Sequence, residues 1–258
     1  MGEIRYAKLI TYDKINITYV YIKRKALIYL KINLKSKDHI ILLSVLLVIS
    51  ITINLYSTIK IYDYKYDLGQ ESYVEIEEIR QRNEGIMDIL NTSIDSGVIR
   101  NEEILKLYKN YDVIACDIIN LWQQYADYSQ RSLSIFAKTI EADKVIQNDI
   151  HGKIKEYMLS ILTKEMKNEE NKLTLTGTDL ECFQAMETLS IRIYEYFNEF
   201  NEDKLQGYSG EAREKKVVKK HYWIDMLNGI YDISNEYVNV QWNIGAEDQL
   251  KVDIEIQE

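Results

Sequence analysis

The chain has 258 residues, no proline, 10 glycines and two cysteines. That excludes a collagen-like or proline-rich protein, a disulfide-dense scaffold and a four-cysteine zinc site. Hydrophobic residues make up 46%, which excludes wholesale disorder, and the formal charge of −9 is unevenly distributed. The 21 tyrosines accompany heavy use of isoleucine, lysine and asparagine, all with A- or T-rich codons. They read first as a coding bias and second as a tyrosine-rich binding face.

Residues 1–38 form a basic leader of net +6, and the remaining chain is net −15. Within the leader, Ile15, Ile17, Tyr19 and Tyr21 alternate along one stretch, and Ile28, Leu30, Ile32 and Leu34 along a second. Lys23-Arg24-Lys25 joins them, the pattern of a short hairpin.

Ile40–Ile59 reads IILLSVLLVISITINLYSTI, with no charged residue. Twenty residues at ~1.5 Å rise span ~30 Å, the thickness of a bilayer's hydrocarbon core. Asp38, His39 and Lys60 bound the run, and Tyr56 and Tyr62 sit at belt positions. No small-residue cleavage site follows, so the run reads as an uncleaved transmembrane helix over 39–60. The basic leader predicts an amino terminus inside and residues 61–258 outside the cytoplasm. Ser50, Asn54 and Ser57 share one face of this helix, where they can hydrogen-bond a second helix in lipid.

The spacing beyond predicts a helix over 70–94 with Ile76, Ile79, Ile86, Leu90 and Ile94 on its apolar side, broken at Asp95-Ser96-Gly97. Asn101 reads as an N-cap with Glu102 and Glu103 in the first turn. A heptad seam follows through Ile104, Tyr108, Tyr111, Ala115, Ile118, Trp122, Tyr125, Ser129, Ser132 and Phe136. Ile146, Ile150, Ile154, Met158, Ile161 and Met166 extend or follow it. Gly152 reads as a kink or break, so the continuity of 101–168 stays open.

Lys172–Thr176 alternates. Thr178-Asp-Leu-Glu181 reads as a capping box before a helix that buries Leu180, Phe183, Met186, Ile193, Phe197 and Phe200. Gly207–Gly210 is a turn with Ser209 as N-cap. One helix then runs to about Asn235 through Val217, Ile224, Leu227 and Tyr231. The end changes period: Val238, Val240, Trp242 and Ile244, then Leu250, Val252, Ile254 and Ile256, predict a β-hairpin over about 237–257, with 172–176 as a candidate third strand. The expected fold is mainly α, a single-pass anchor followed by an extracytoplasmic helical bundle with a terminal hairpin.

Catalytic motifs are scarce. There is no H-E-x-x-H, C-x-x-C, glycine-rich phosphate loop or G-x-S-x-G. Ser57-Thr-Ile-Lys60 matches S-x-x-K by chance, without its companion motifs. Glu75, Glu77, Glu78, Glu169 and Glu170 read as a solvated acidic face. Cys116 and Cys182 are a candidate disulfide pair, since both lie outside the cytoplasm in this topology. Arg213, Lys215, Lys216, Lys219 and Lys220, with His221 beside them, form a basic patch that suits an anionic polymer, headgroups or an acidic partner. No catalytic residue, cofactor or metal is expected, and nucleic acid does not suit an acidic outer domain.

These features favour a non-enzymatic, membrane-anchored interaction or assembly protein of a cell envelope, partnered or self-associating. The rival readings are a ligand-sensing helical ectodomain signalling through a partner and an envelope enzyme with dispersed catalytic residues.

Overall fold

The structure, a computed structural model, describes residues 36–130, 149–165, 171–242 and 244. The leader's alternating stretches, Ser132, Phe136, Ile146, Met166, Glu169, Glu170 and the hairpin's second half lie outside the described residues. The chain is mostly helical with one small two-stranded antiparallel sheet. It divides into two compact units at the Ile59/Lys60 junction.

Helix α1 runs from Ser36 to Ser96. The first unit contributes its opening turns, in which every side chain described up to Ile59 is exposed. Thr52 and Thr58 return their hydroxyls to the carbonyls of Val48 and Asn54, at 2.9 and 2.8 Å, so their polar atoms are satisfied within the helix.

In the second unit α1 becomes an amphipathic core helix. Leu68, Ser72, Ile76, Ile79, Asn83, Ile86, Leu90 and Ser93 are buried at spacings of three and four, the repeat that keeps one stripe against its neighbours. The predicted Ile76, Ile79, Ile86 and Leu90 are among them, and Ile94 is half-buried. Gly97 ends the helix at φ +69°, a conformation a Cβ disfavours, and its N–H donates to the Ile94 carbonyl at 3.1 Å.

Strand β1 (Val98–Arg100) pairs antiparallel with β2 (Lys172–Thr174), Ile99 opposite Leu173. Lys172–Thr176 therefore pairs with the turn after α1, not with a terminal hairpin. Leu175 N–H to the Gly97 carbonyl and Asn101 N–H to the Asn171 carbonyl extend the ladder at both ends.

Helix α2 spans Asn101–Gln130. Asn101 is its first helical residue, not its N-cap: its side-chain amide turns to the Glu165 carbonyl, while its N–H donates to the Asn171 carbonyl. Glu103 instead reaches back to the Arg100 N–H at 3.0 Å, one half of a capping box. The seam also shifts. Ile104, Tyr111 and Ala115 are buried as predicted, but Leu107, Ile114 and Leu121 are buried more deeply than their neighbours Tyr108, Ala115 and Trp122. The buried stripe is three residues wide per heptad, the globular pattern, and wider than a two-position coiled-coil seam.

Helix α3 (Ile150–Glu165) runs antiparallel to α2: Asn101 Nδ2 reaches the Glu165 carbonyl, and the Tyr111 ring stacks on His151. Gly152 makes no kink. It sits in the first turn, where its N–H donates to Asp149 Oδ1 at 2.8 Å. A Cβ on Gly152 would lie 2.0 Å from Asp149 Oδ2, so glycine admits the capping carboxylate.

Helix α4 (Gly177–Phe200) begins one residue before Thr178. Thr178 is thus inside the helix, Thr176 occupies the N-cap position, and the predicted capping box does not form. Phe183, Met186, Ile193 and Phe197 are buried, Leu180 and Phe200 half-buried. A π-turn, Asn201–Leu205, leads to α5 (Gly210–Lys220) with Ser209 at its N-cap position. The single predicted last helix is two, because His221 adopts φ 58°, ψ 27° and separates α5 from α6 (Tyr222–Asn235). The left-handed residue returns its N–H to the Val218 carbonyl at 3.2 Å, closing α5 as glycine usually does.

Beyond α6 the alternation is real but carries no ladder. Val238, Val240, Trp242 and Ile244 pack on the core while Asn239 and Gln241 are exposed, and the described residues are not in strand pairing. Trp242 lies against Tyr157 with ring centroids 6.0 Å apart. Residues 236–239 are hydrogen-bonded turns, and the alternation in burial comes from packing against the helices.

Leu121→Ala is expected to cost about 2–5 kcal/mol, and Trp122→Ala less, since half the Trp122 surface contact is forgone. Urea unfolding of the purified chain in detergent, followed by far-ultraviolet circular dichroism, checks the order; Trp122→Ala as the larger loss would restore the narrower seam.

Candidate functional site

Two places in the chain depart from an ordinary solvated helical domain. One is the apolar run on α1. Its large side chains are exposed, from 46% at Leu42 to 71% at Leu43. One helix is therefore long and apolar enough to cross a membrane. Ser50, Asn54 and Ser57 are exposed on this stretch, at the spacing of one face. The charged centre of such a run costs about +2.5 to +3.5 kcal/mol per residue against about −0.3 to −0.6 for each leucine or isoleucine. A single lysine would cancel several apolar residues, which is why its charge-free composition decides the reading.

The other is a carboxylate cluster between α1 and α2, in the second unit. These helices run antiparallel: Ser72 Oγ donates to Gln124 Oε1 at 2.5 Å, and Arg82 Nη1 to Asn110 Oδ1 at 3.1 Å. Between these contacts lie Glu75, Glu78 and Asp117. Asp117 is buried to 8% exposure, and its Oδ2 has no partner; nor has Glu75 Oε2. Burial raises the Glu75 carboxyl to about 7, and the charges of Asp117 and Glu71 push the same way against hydrogen bonds from Asn120 and Gln124. Burial likewise raises Asp117 to about 6, with Glu78 adding and Arg82 opposing. Glu75 is therefore not part of a solvated face, as its sequence setting suggested. Glu77 and Glu78 are ion-paired, with Arg80 and Arg213 at 3.1 and 2.8 Å and with Arg82 at 2.6 Å.

The cluster was half legible. Asp117 lies three residues after Ile114 and four before Leu121, inside the stripe, and a charge at that spacing is the signal that was missed. His151 was missed in the same way: it is buried at the start of α3, bonded through Nε2 to Ser234 Oγ at 3.1 Å, and burial lowers it to about 4. Nearby, the buried Tyr111 hydroxyl has the buried Ser190 side chain as its hydrogen-bonding neighbour. Among the described residues no group of three or more His, Cys, Asp or Glu is placed to hold a metal ion.

The basic patch does not act as one unit. Arg213 turns into the domain and bonds Glu77 and the Tyr73 hydroxyl, at 2.8 and 3.3 Å. Lys215 pairs with Glu211 at 2.5 Å along α5, and Lys216 lies 3.9 Å from the centre of the Tyr208 ring. Lys219 and Lys220 are exposed at the end of the helix. Cys116 and Cys182 are not bridged: both are free thiols, Cys116 exposed on α2 and Cys182 buried on α4, where it faces the Gln241 carbonyl.

A cavity of about 40 Å³ lies among Ser160, Lys164, Glu165, Leu173 and Asp179, room for about one water. Comparison with models of known families, with curated proteins and with solved structures finds no match.

The raised carboxyls and the lowered imidazole act oppositely on stability. Glu75 and Asp117 bind a proton more readily folded than unfolded, so stability rises as pH falls from about 7 towards 4.5 and from about 6 towards 3.8. His151 binds one less readily folded, so stability falls between pH 6.5 and about 4, a loss of about 3 kcal/mol when complete. Glu75→Gln with Asp117→Asn is expected to raise the unfolding midpoint at pH 7.5 and to leave only the acid loss. Thermal unfolding across pH 4–8, read by fluorescence of Trp122, Trp223 and Trp242, checks it; an unchanged midpoint at pH 7.5 would contradict the burial of these charges.

Proposed function

We propose that the chain is a non-enzymatic, membrane-anchored interaction or assembly protein of a cell envelope. Residues 39–60 cross the bilayer once, the leader 1–38 stays in the cytoplasm and 61–258 form the outer helical domain. The observation that carries this reading is the exposure of every side chain in a charge-free run long enough to span. Core residues elsewhere are covered by their own domain; these are not, and lipid is the solvent that suits them.

The interaction reading rests on what the outer domain is made of. Its buried residues form one continuous helical core. The perturbed carboxyls sit between α1 and α2, where packing of the two helices accounts for their raised pKa values. In the span, the Ser50–Asn54–Ser57 face is the surface chemistry most suited to a second helix. A protein partner or a second copy is the expected occupant, and nucleic acid is not.

Protease added to intact cells or protoplasts is expected to remove the outer domain while a tag at residue 1 stays protected. Chemical cross-linking in native membranes is expected to give a discrete larger species that weakens in Asn54→Leu. The reverse protection pattern sinks the topology. A chain that cross-links to nothing sinks the assembly reading while leaving the anchor intact.

A further inference from the structure

We propose that the seam between α1 and α2 in the second unit is a proton-operated clasp. It takes up one proton, held on Glu75 beside an ionised Asp117, and it loosens at its Ser72–Gln124 end when that proton leaves.

The seam has more anions than cations to answer them. Asp117 is 8% exposed and its Oδ2 has no partner, and Glu75 Oε2, also buried, has none. Two further carboxylates of α1 add to the excess, Glu71 acting on Glu75 and Glu78 on Asp117. The cation facing Asp117 is Arg82. Its Nε and Nη2 already bond Glu78 Oε1, at 2.9 and 2.6 Å, and its Nη1 bonds Asn110. Arg213 of α5, the other guanidinium on this stretch of α1, is committed to Glu77 and Tyr73. A covered anion without a cation of its own costs more than a bound proton, so one of the two carboxyls stays neutral.

The partners decide which one. Asp117 has the charge of Arg82 to favour its ionised form, whereas Glu75 has amide hydrogen bonds from Asn120 and Gln124. A hydrogen bond that carries charge is the stronger kind. Asp117 therefore ionises first, at about 6, and its new charge helps to hold the proton on Glu75 up to about 7. Each group sets the other's titration, so the pair behaves as one unit.

The consequence is local. Two polar ties cross the seam, Ser72 Oγ to Gln124 Oε1 at 2.5 Å and Arg82 Nη1 to Asn110 Oδ1 at 3.1 Å. Gln124 serves both Ser72 and Glu75. When Glu75 ionises it is stabilised by reaching water, and the amide that serves it is drawn from Ser72. The Arg82–Asn110 tie does not titrate near neutrality and acts as the pivot.

The test uses the full chain in detergent, with two readouts. Infrared difference spectra between pH 5 and 9 are expected to show a protonated-carboxyl stretch that disappears near pH 7 and is missing in Glu75→Gln. In Asp117→Asn its midpoint is expected to fall by about one pH unit or more. Amide hydrogen exchange, corrected for intrinsic rate, is expected to show residues 120–124 of α2 losing at least ten-fold of their protection between pH 6.5 and 8.5. The amides of α4 should keep theirs, and Glu75→Gln should abolish the change. No such stretch above pH 6, or one with the same midpoint in Asp117→Asn, overturns the linked proton. A stretch that titrates while 120–124 keep their protection overturns the clasp. Equal losses in α2 and α4 overturn it in favour of a proton that acts on global stability alone.

Discussion

One helix of this chain is uncovered and apolar along its first part and amphipathic along its second. Over Ile40–Ile59 the side chains are apolar and uncovered, and the backbone bonds are closed within the helix. From Leu68 onward the same helix carries a narrow apolar stripe and polar flanks, as a helix covered on one side only requires. No proline interrupts the transition, so nothing forces the hydrogen-bond ladder to stop where the side-chain pattern changes. The boundary is written in side chains alone, in Lys60, Asp63 and the tyrosines between them.

The second unit packs α1 against α2 and α2 against α3 antiparallel, and its polar interior is specific. Asn83 Nδ2 donates to the Ser190 carbonyl at 2.8 Å, which fixes α1 against α4. Arg192 clamps Glu236, and Tyr196 OH bonds the Asp225 carbonyl at 2.8 Å, which fix α4 against the α6 end of the chain. These bonds add little net stability, about 1 kcal/mol each. Their value is in register, because a buried amide left unpaired costs about 1–3 kcal/mol. The carboxyls of Glu75 and Asp117 break that rule and are under-satisfied, so the α1–α2 seam responds to protons.

The sequence made the apolar run, most of the helices and their core positions legible, because both rest on periodicity that burial enforces. It misplaced what depends on competition between partners. Asn101 has the chemistry of an N-cap, but its side-chain amide bonds the Glu165 carbonyl across to α3 instead. Thr178 and Glu181 have the spacing of a capping box, but Gly177 at φ +54° starts the helix earlier. His221 carries no sequence mark of a helix stop. Val238, Val240, Trp242 and Ile244 alternate in burial as predicted, and the second half of the predicted hairpin lies outside the described residues. At the carboxylate cluster, Glu75 was visible but its burial was not, since that depends on α2 bringing Asp117 opposite.

The central claim is that Ile40–Ile59 is solvated by lipid. Membranes from cells making the full chain should be extracted at alkaline pH, which strips peripheral proteins, and the pellet compared with that of a Leu47→Arg, Ile51→Arg variant. The account predicts that the native chain stays entirely with the membrane and that the variant appears in the supernatant. A native chain released into the supernatant would contradict it, and would require a protein surface to cover those side chains instead.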